Sequence, residues 1–242
     1  MFAPATRPVP SVTAAQMREV DRLMVEEFGI ELLQMMEHAG RAIARVARVR
    51  FFDGDAEGRR VVVLAGTGGN GGGGLVAARH LANAGAVVRV WTTRPVDAYE
   101  GVPAHQLGIL RRMDVDVRSG GDPPGRADLI VDALLGYSLD GPPRGEAADL
   151  IRWTRSQSSP VLSLDLPSGV DATTGEAHHP HVYAAATVTL ALPKTGLANA
   201  RGNAHDAVGD LYLADIGVPP ALYARLDLPA APIFGVDDIL SL

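Results

Sequence analysis

The sequence predicts an α/β fold: a three-layer, Rossmann-like, mostly parallel sheet with helices on both faces and two helices ahead of it. Three observations predict it. Short β-branched and apolar runs alternate with helical stretches from residue 60 onward, the pattern of βαβ units. The first run, Val61-Val62-Val63-Leu64-Ala65, passes directly into Gly66-Thr67-Gly68-Gly69-Asn70-Gly71-Gly72-Gly73-Gly74 and then into an amphipathic segment. Two later runs end on aspartate, Asp132 and Asp165, and ligands of parallel sheets bind beyond the carboxyl ends of the strands.

Residues 1–12 are rich in proline and polar groups and read as a flexible, unanchored N-terminal tail. From Thr13 the period becomes helical. Met17, Val20, Leu23 and Met24 form one apolar stripe. After Gly29, Leu32, Leu33, Met35, Met36, Ala39, Ile43 and Val46 form a second. The expected order is then strand 60–65, helix 74–85, strand 87–92, helix 103–112, strand 128–134, helix 146–157 and strand 160–165. Thr187 to Leu192 and Leu211 to Ala214 read as further strands, and Pro219 to Leu226 as a short helix with proline at its start. Residues 13–242 are expected to form a single domain, since 242 residues with 47% hydrophobic content suffice for one sizeable core and composition shows no break.

Composition also bounds the function. A net charge of −6 argues against general nucleic-acid binding, which uses a basic face. No run of about 18 apolar residues is present, and no basic-then-apolar N-terminal segment, so neither a membrane span nor a secretory signal is expected. The chain has no cysteine, which excludes disulfides and thiolate chemistry and fits a reducing, cytoplasmic location.

The glycine-rich stretch has the features of a phosphate cradle. Glycine lets the backbone approach a ligand closely, and the unpaired amides of the following helix point at an anion. Gly66, Gly68 and Gly71 satisfy G-x-G-x-x-G after a strand. The next strand, however, ends Val90-Trp91-Thr92-Thr93-Arg94, without the acid that holds the ribose in a dehydrogenase. No Lys-Ser or Lys-Thr pair follows the loop, which disfavours the nucleoside-triphosphate P-loop.

The two strand-end aspartates stand in Val131-Asp132-Ala133-Leu134-Leu135-Gly136-Tyr137-Ser138 and Leu164-Asp165-Leu166-Pro167-Ser168-Gly169-Val170-Asp171. Both are expected to face the glycine loop. They suit acid/base work or, with the oxygens of Asn70 and Ser168, an all-oxygen site for a hard cation. The alternative is that each caps a neighbouring helix or turn.

Taken in order, these motifs resemble the YjeF N-terminal domain family, whose enzymatic members are NAD(P)H-hydrate epimerases. The resemblance rests on Gln16-Met17-Arg18-Glu19-Val20-Asp21, Met36-Glu37-His38-Ala39-Gly40, the glycine loop running on to Arg79-His80-Leu81, Asp132-Ala133-Leu134-Leu135-Gly136 and Asp165-Leu166-Pro167-Ser168-Gly169-Val170-Asp171, and it spans about residues 13–216. It implies potassium bound by Asn70, Asp132 and Ser168, with Asp165 as ligand contact and catalytic base. It also implies that Gly69, Asn70, Gly71, Gly72 and Gly73, together with Gly136, Tyr137, Ser138, Leu139, Asp140, Gly141 and Pro142, hold the substrate. That substrate would be hydrated NADH or NADPH, interconverted between its R and S forms without redox change. A separate dehydratase would act on one epimer, and the protein would be a homodimer. The chain departs from the family pattern at Gly69 and Gly73, where an asparagine and an aspartate are usual, and near Asp140, where many members carry lysine.

Other residues carry less. His178, His179 and His181 surround a proline in a loop and read as solvated, not as a metal site. His80 reads as a packed or capping histidine. Lys194, at a strand end, is weighed as a phosphate contact but expected to be solvated. Two other classes of function stay open: a non-catalytic nucleotide- or partner-binding module, and a different nucleotide-dependent enzyme on the same fold. Retention of Asp165, Asn70, Asp132 and Ser168 favours the enzyme.

Overall fold

A computed structural model describes residues 2–120, 125–200, 206–229 and 231–242. Its centre is an eight-stranded sheet in the order β3-β2-β1-β4-β5-β6-β7-β8, comprising β1 Arg60–Ala65, β2 Val87–Thr92, β3 Asp116–Ser119, β4 Leu129–Ala133, β5 Val161–Leu164, β6 Ala186–Leu190, β7 Asp210–Ala214 and β8 Ile239–Ser241. All neighbours are parallel except β7 and β8. The order reverses between β1 and β4, and this switch point places the ends of those strands side by side, with Leu64 opposite Asp132 and Ala65 opposite Ala133.

The strands are sandwiched because side chains alternate across a sheet. Val61, Val63 and Ala65 enter one core with Val131 and Ala133, whereas Val62 and Leu64 enter another with Trp91, Ile130, Leu150 and Ile151. Helices α1 (Ala14–Glu26), α2 (Leu32–Val46), α3 (Gly69–Asn83), α4 (Gly101–Arg112) and α7 (Pro220–Arg225) contribute to the first core, and α5 (Gly145–Arg155) covers the second. A third cluster joins α6 (Thr195–Ala200) to Leu166, Val170 and Leu211. Thr13 starts α1 with a capping box shared with Gln16.

Three strand-helix expectations need correction. Helix α3 begins at Gly69, not residue 74, so most of the glycines are helical. A Cβ on Gly72 would lie 2.3 Å from Met36 Sδ, one on Gly74 2.4 Å from Ala133 Cβ, and one on Gly40 of α2 2.4 Å from Val76 Cβ. Glycine is tolerated there despite its low helix propensity because α2, α3 and β4 approach closely. Strands β3 and β8 and helix α6 were not expected. Finally, residues 2–12 do not form an unanchored tail. Ala5 N–H donates to Ser241 O at 3.0 Å, Ser241 N–H to Ala3 O at 2.9 Å, and Val12 N–H to Pro193 O at 2.9 Å.

Candidate active site

A cavity of about 530 Å³ opens at the carboxyl ends of β1, β4, β5 and β6. Its floor is the strand-to-helix turn Gly66–Gly68 and the first turn of α3, and its walls include Met36 of α2, Asp21 of α1, the Leu134–Ser138 segment, Asp165 and Lys194. The first α3 bond of the usual kind is Gly72 N–H to Gly68 O at 3.0 Å, and Gly68 caps the helix without a side chain. The preceding amides of this fifteen-residue helix are therefore available at the cavity floor, where an anionic group is favoured.

Asp165 is the residue after β5. Its N–H continues the sheet bond to Val188 O at 2.7 Å, but its φ is +68° and Leu166 N–H turns back to Leu164 O at 2.9 Å. This i to i+2 turn around a left-handed residue is sparsely populated outside glycine, and it swings the carboxyl out of the strand's alternation into the cavity wall. One carboxyl oxygen, Oδ2, accepts from Tyr137 N–H at 3.3 Å, and the other accepts from Lys194 Nζ. Ala191 repeats the device after β6, with φ +62° and Leu192 N–H bonded to Leu190 O at 2.7 Å. The chain then doubles back so that Lys194 Nζ also donates to Leu190 O at 2.9 Å. Lys194 is 1% exposed, so the expectation of a solvated strand-end lysine is overturned. Burial of an ammonium requires a paired charge, and Asp165 is that charge.

Asp132 follows a different course. It is fully buried below the cavity and accepts from Ser168 Oγ at 2.6 Å, Ser168 N–H at 2.9 Å, Ser163 Oγ at 2.8 Å and Leu134 N–H at 3.3 Å. Burial pushes its carboxyl above the usual range, against the pull of these donors. Ser168 Oγ also receives Leu135 N–H at 2.9 Å, which ties the ends of β4 and β5 together.

Asn70, in the first turn of α3, has both side-chain polar atoms buried and without a hydrogen-bond partner among the described residues. An idealised Cβ on Gly136 would lie 3.3 Å from Asn70 Cγ and 3.4 Å from Asp165 Oδ2, so these groups converge around that glycine. An unpartnered buried amide is costly. The oxygen-rich set of Asn70, Asp132 and Ser168, with an orphaned Asn70 oxygen and a buried carboxylate, has the donor chemistry of a hard monovalent or divalent cation site.

The predicted ligand residues divide. Gly69, Asn70, Gly136, Tyr137, Ser138 and Asp165 line the cavity. Gly71, Gly72 and Gly73 are buried in α3 and face other protein atoms, and Leu139, Asp140, Gly141 and Pro142 lie off the cavity, with Asp140 exposed. Missed as site residues were Asp21 and Lys194. Asp21 lines the cavity and accepts a hydrogen bond from Tyr137 Oη, and burial raises its carboxyl above the ordinary range. The signal for Asp21 was its i+4 spacing from the core residue Met17, which puts both on one face. Elsewhere, His80 and Arg79 of α3 meet Glu37 of α2, and His181 Nδ1 lies 2.8 Å from His178 O.

Sheet, switch point and strand-end acids define an α/β protein with a cavity at its switch point and a buried carboxylate in the cavity wall. Residues 32–196 match the family described as YjeF-related protein N-terminus, and the chain belongs to that family. It is 46% identical over 223 residues to an NAD(P)H-hydrate epimerase of Dehalogenimonas lykanthroporepellens, covering 91% of this chain and 87% of that one. It is 36% identical to a bifunctional NAD(P)H-hydrate repair enzyme of Salinibacter ruber, over 89% of this chain and 42% of the relative. A crystal structure of the yeast protein ynu0 superposes with a TM-score of 0.82 at 27% identity, covering 97% of this chain and all of that one.

Proposed function

We propose that the chain is an NAD(P)H-hydrate epimerase, an isomerase that interconverts the R and S forms of hydrated NADH or NADPH. The observation that carries the reading is Asp165: a carboxylate turned into the cavity by a left-handed backbone, opposite the free amides of α3, in a chain 46% identical to an epimerase over nearly its whole length. The α3 amides and the Gly136–Ser138 backbone hold the anionic and ribose portions of the dinucleotide. The damaged nicotinamide ring then reaches Asp165, the wider substrate contact being met by the apolar wall of Met35, Met36 and Ile216. Inversion at the hydrated carbon requires a proton to be given to the departing hydroxyl and taken from the returning water, and Asp165 is the general acid/base for that exchange. No electron is transferred.

Asn70, Asp132 and Ser168 are the residues that would hold potassium. Bound there, the ion supplies fixed positive charge beside the strand ends. Asp132 would balance it from below, and the orphaned Asn70 oxygen would gain a partner. The bifunctional name of the Salinibacter relative supports a dehydratase as the next enzyme of the repair. We assign the protein to the cytoplasm, in line with its lack of cysteine and with the absence of any helix long and apolar enough to cross a membrane among the described residues. A homodimer is the expected assembly, with light scattering as its check.

The test is a coupled assay on mixed hydrated NADH epimers with an S-specific dehydratase and potassium present. The wild type is expected to speed consumption of the R epimer, and Asp165→Asn to lose about a hundredfold or more of that rate. Wild-type protein that leaves the spontaneous rate unchanged would refute the assignment.

A further inference from the structure

Lys194 is a buried side chain that the chemistry above leaves unused. It is among the largest fully buried residues, yet it is an ammonium. A lysine is retained in such a place only where a charge partner offsets desolvation, and a well-packed apolar residue would otherwise serve stability as well or better. Two of its three donors find Asp165 Oδ1 and Leu190 O, and its Nζ lies 6.0 Å from the centre of the Tyr137 ring. It also lines the cavity. The backbone is built to deliver it there. Val12 N–H is bonded to Pro193 O and Thr195 N–H to Val12 O, both at 2.9 Å, so the N-terminal segment clamps the residues on either side of Lys194. The left-handed Ala191 brings the segment round to that clamp. Facing groups from the packed elements are Asp165 after β5, Tyr137 after β4 and Asp21 of α1, which feels the charge of Lys194.

We propose that Lys194 is a positioning residue of the epimerisation: its ammonium fixes the Asp165 carboxyl in the orientation that reaches substrate and supplies the counter-charge that the buried acid needs. The proposal rests on the epimerase reading. Because the Asp165 carboxyl has one other hydrogen-bond partner among the described residues, the 3.3 Å bond from Tyr137 N–H, the loss of Lys194 frees the carboxyl to rotate about its side-chain bonds. A misplaced acid/base group loses rate without losing substrate, because the dinucleotide is held mainly at the α3 end of the cavity.

The experiment compares wild type, Lys194→Met and Lys194→Ala in the coupled assay at fixed potassium concentration, with folding checked by far-UV circular dichroism and thermal melts. Both variants are expected to lose about a hundredfold in kcat, within the range of acid/base contributions, with KM changed less than about threefold. Methylammonium is then added to Lys194→Ala, whose truncated side chain leaves room for it. Partial recovery of kcat, with no effect of methylammonium on wild type or on Lys194→Met, is the expected result. A folded Lys194→Ala or Lys194→Met within about threefold of wild-type kcat would overturn the proposal. So would a folded, impaired Lys194→Ala that methylammonium leaves unchanged, because a purely structural lysine would show that behaviour. If both variants fail to fold, the residue is structural and the proposal is overturned. An inactive wild type overturns the epimerase reading and this inference together, which distinguishes that failure from the others.

Discussion

Placing alanine at Gly71 and at Gly69 separates packing from helix propensity within one turn of α3. A Cβ on Gly71 would lie 1.8 Å from Gly66 O, 2.5 Å from Gly66 C and 2.8 Å from Gly66 N. All three are backbone atoms, so no rotamer change relieves the collision. The strand-to-helix turn itself must move, and a Cβ on Gly66 would in turn lie only 2.0 Å from Leu134 O. Overpacking costs about 1–3 kcal/mol, and a collision with backbone atoms falls at the upper end of that range. Replacing a helical glycine by alanine returns about 1 kcal/mol. The net expectation for Gly71→Ala is a loss of about 2 kcal/mol, a fall in Tm of about 4–8 °C for a chain of this size. At Gly69 the nearest atom to an added Cβ is Met36 Cε at 3.7 Å, an ordinary contact. Gly69→Ala should therefore gain up to about 1 kcal/mol and melt a few degrees higher. Scanning calorimetry on the three proteins measures the comparison. A Gly71→Ala variant that melts as high as Gly69→Ala would refute the claim that close backbone approach dictates glycine in this turn.

Two other outcomes follow from the site. Wild-type protein should melt higher in potassium chloride than in tetramethylammonium chloride at equal ionic strength, by about 2.7 kcal/mol at a hundred times Kd. Asn70→Ala should abolish the difference, and identical melts for wild type in the two salts would remove these residues as an ion site. Asp21 gives a pH dependence. Burial raises its carboxyl in the folded state, so the folded state binds more protons than the unfolded one between the ordinary carboxylate pKa and the raised value. The penalty is absent below about pH 4, the unfolded value, and grows as pH rises through the raised folded value. Relative to wild type, Asp21→Asn should gain stability progressively over that window, as read from urea melts at several pH values. A difference that is flat with pH would refute the burial account of Asp21.

The sheet was legible because its central strands are continuous apolar runs bounded by glycine, proline and aspartate, and their parallel order follows from the helices between them. Strand β3 was not, because Asp116-Val117-Arg118-Ser119 is an edge strand paired to β2, with little apolar content to mark it. The start of α3 was hidden for the opposite reason: helix propensity argues against a run of glycines, and only the approach of α2 and β4 makes that run helical. Gly73 is one of the positions buried inside this packing. An added Cβ there would lie 2.8 Å from Leu164 Cδ2, so the position faces a core side chain and not the cavity. The strand-end acids were legible by position. The burial of Lys194 was not, because it depends on two left-handed turns and an N-terminal clamp that no local pattern announces.

The two strand-end aspartates look equivalent in sequence, and the structure gives them different surroundings. Asp132 accepts from four donors and has no surface on the cavity, so it cannot reach a substrate proton. Asp165 keeps spare acceptor capacity and lines the cavity, at the cost of a left-handed φ and a buried countercharge. The difference originates in a single residue of backbone. Asp132 is the fourth residue of β4 and points where the pleat sends it, into the sheet's buried layer beside Ser163. Asp165 falls one residue past β5, beyond the point where the pleat dictates direction, and the turn there can aim it. A strand longer by one residue at β5 would bury this carboxyl in the same way, so the acid that lines the cavity is found just outside its strand and the one enclosed by four donors is found within it.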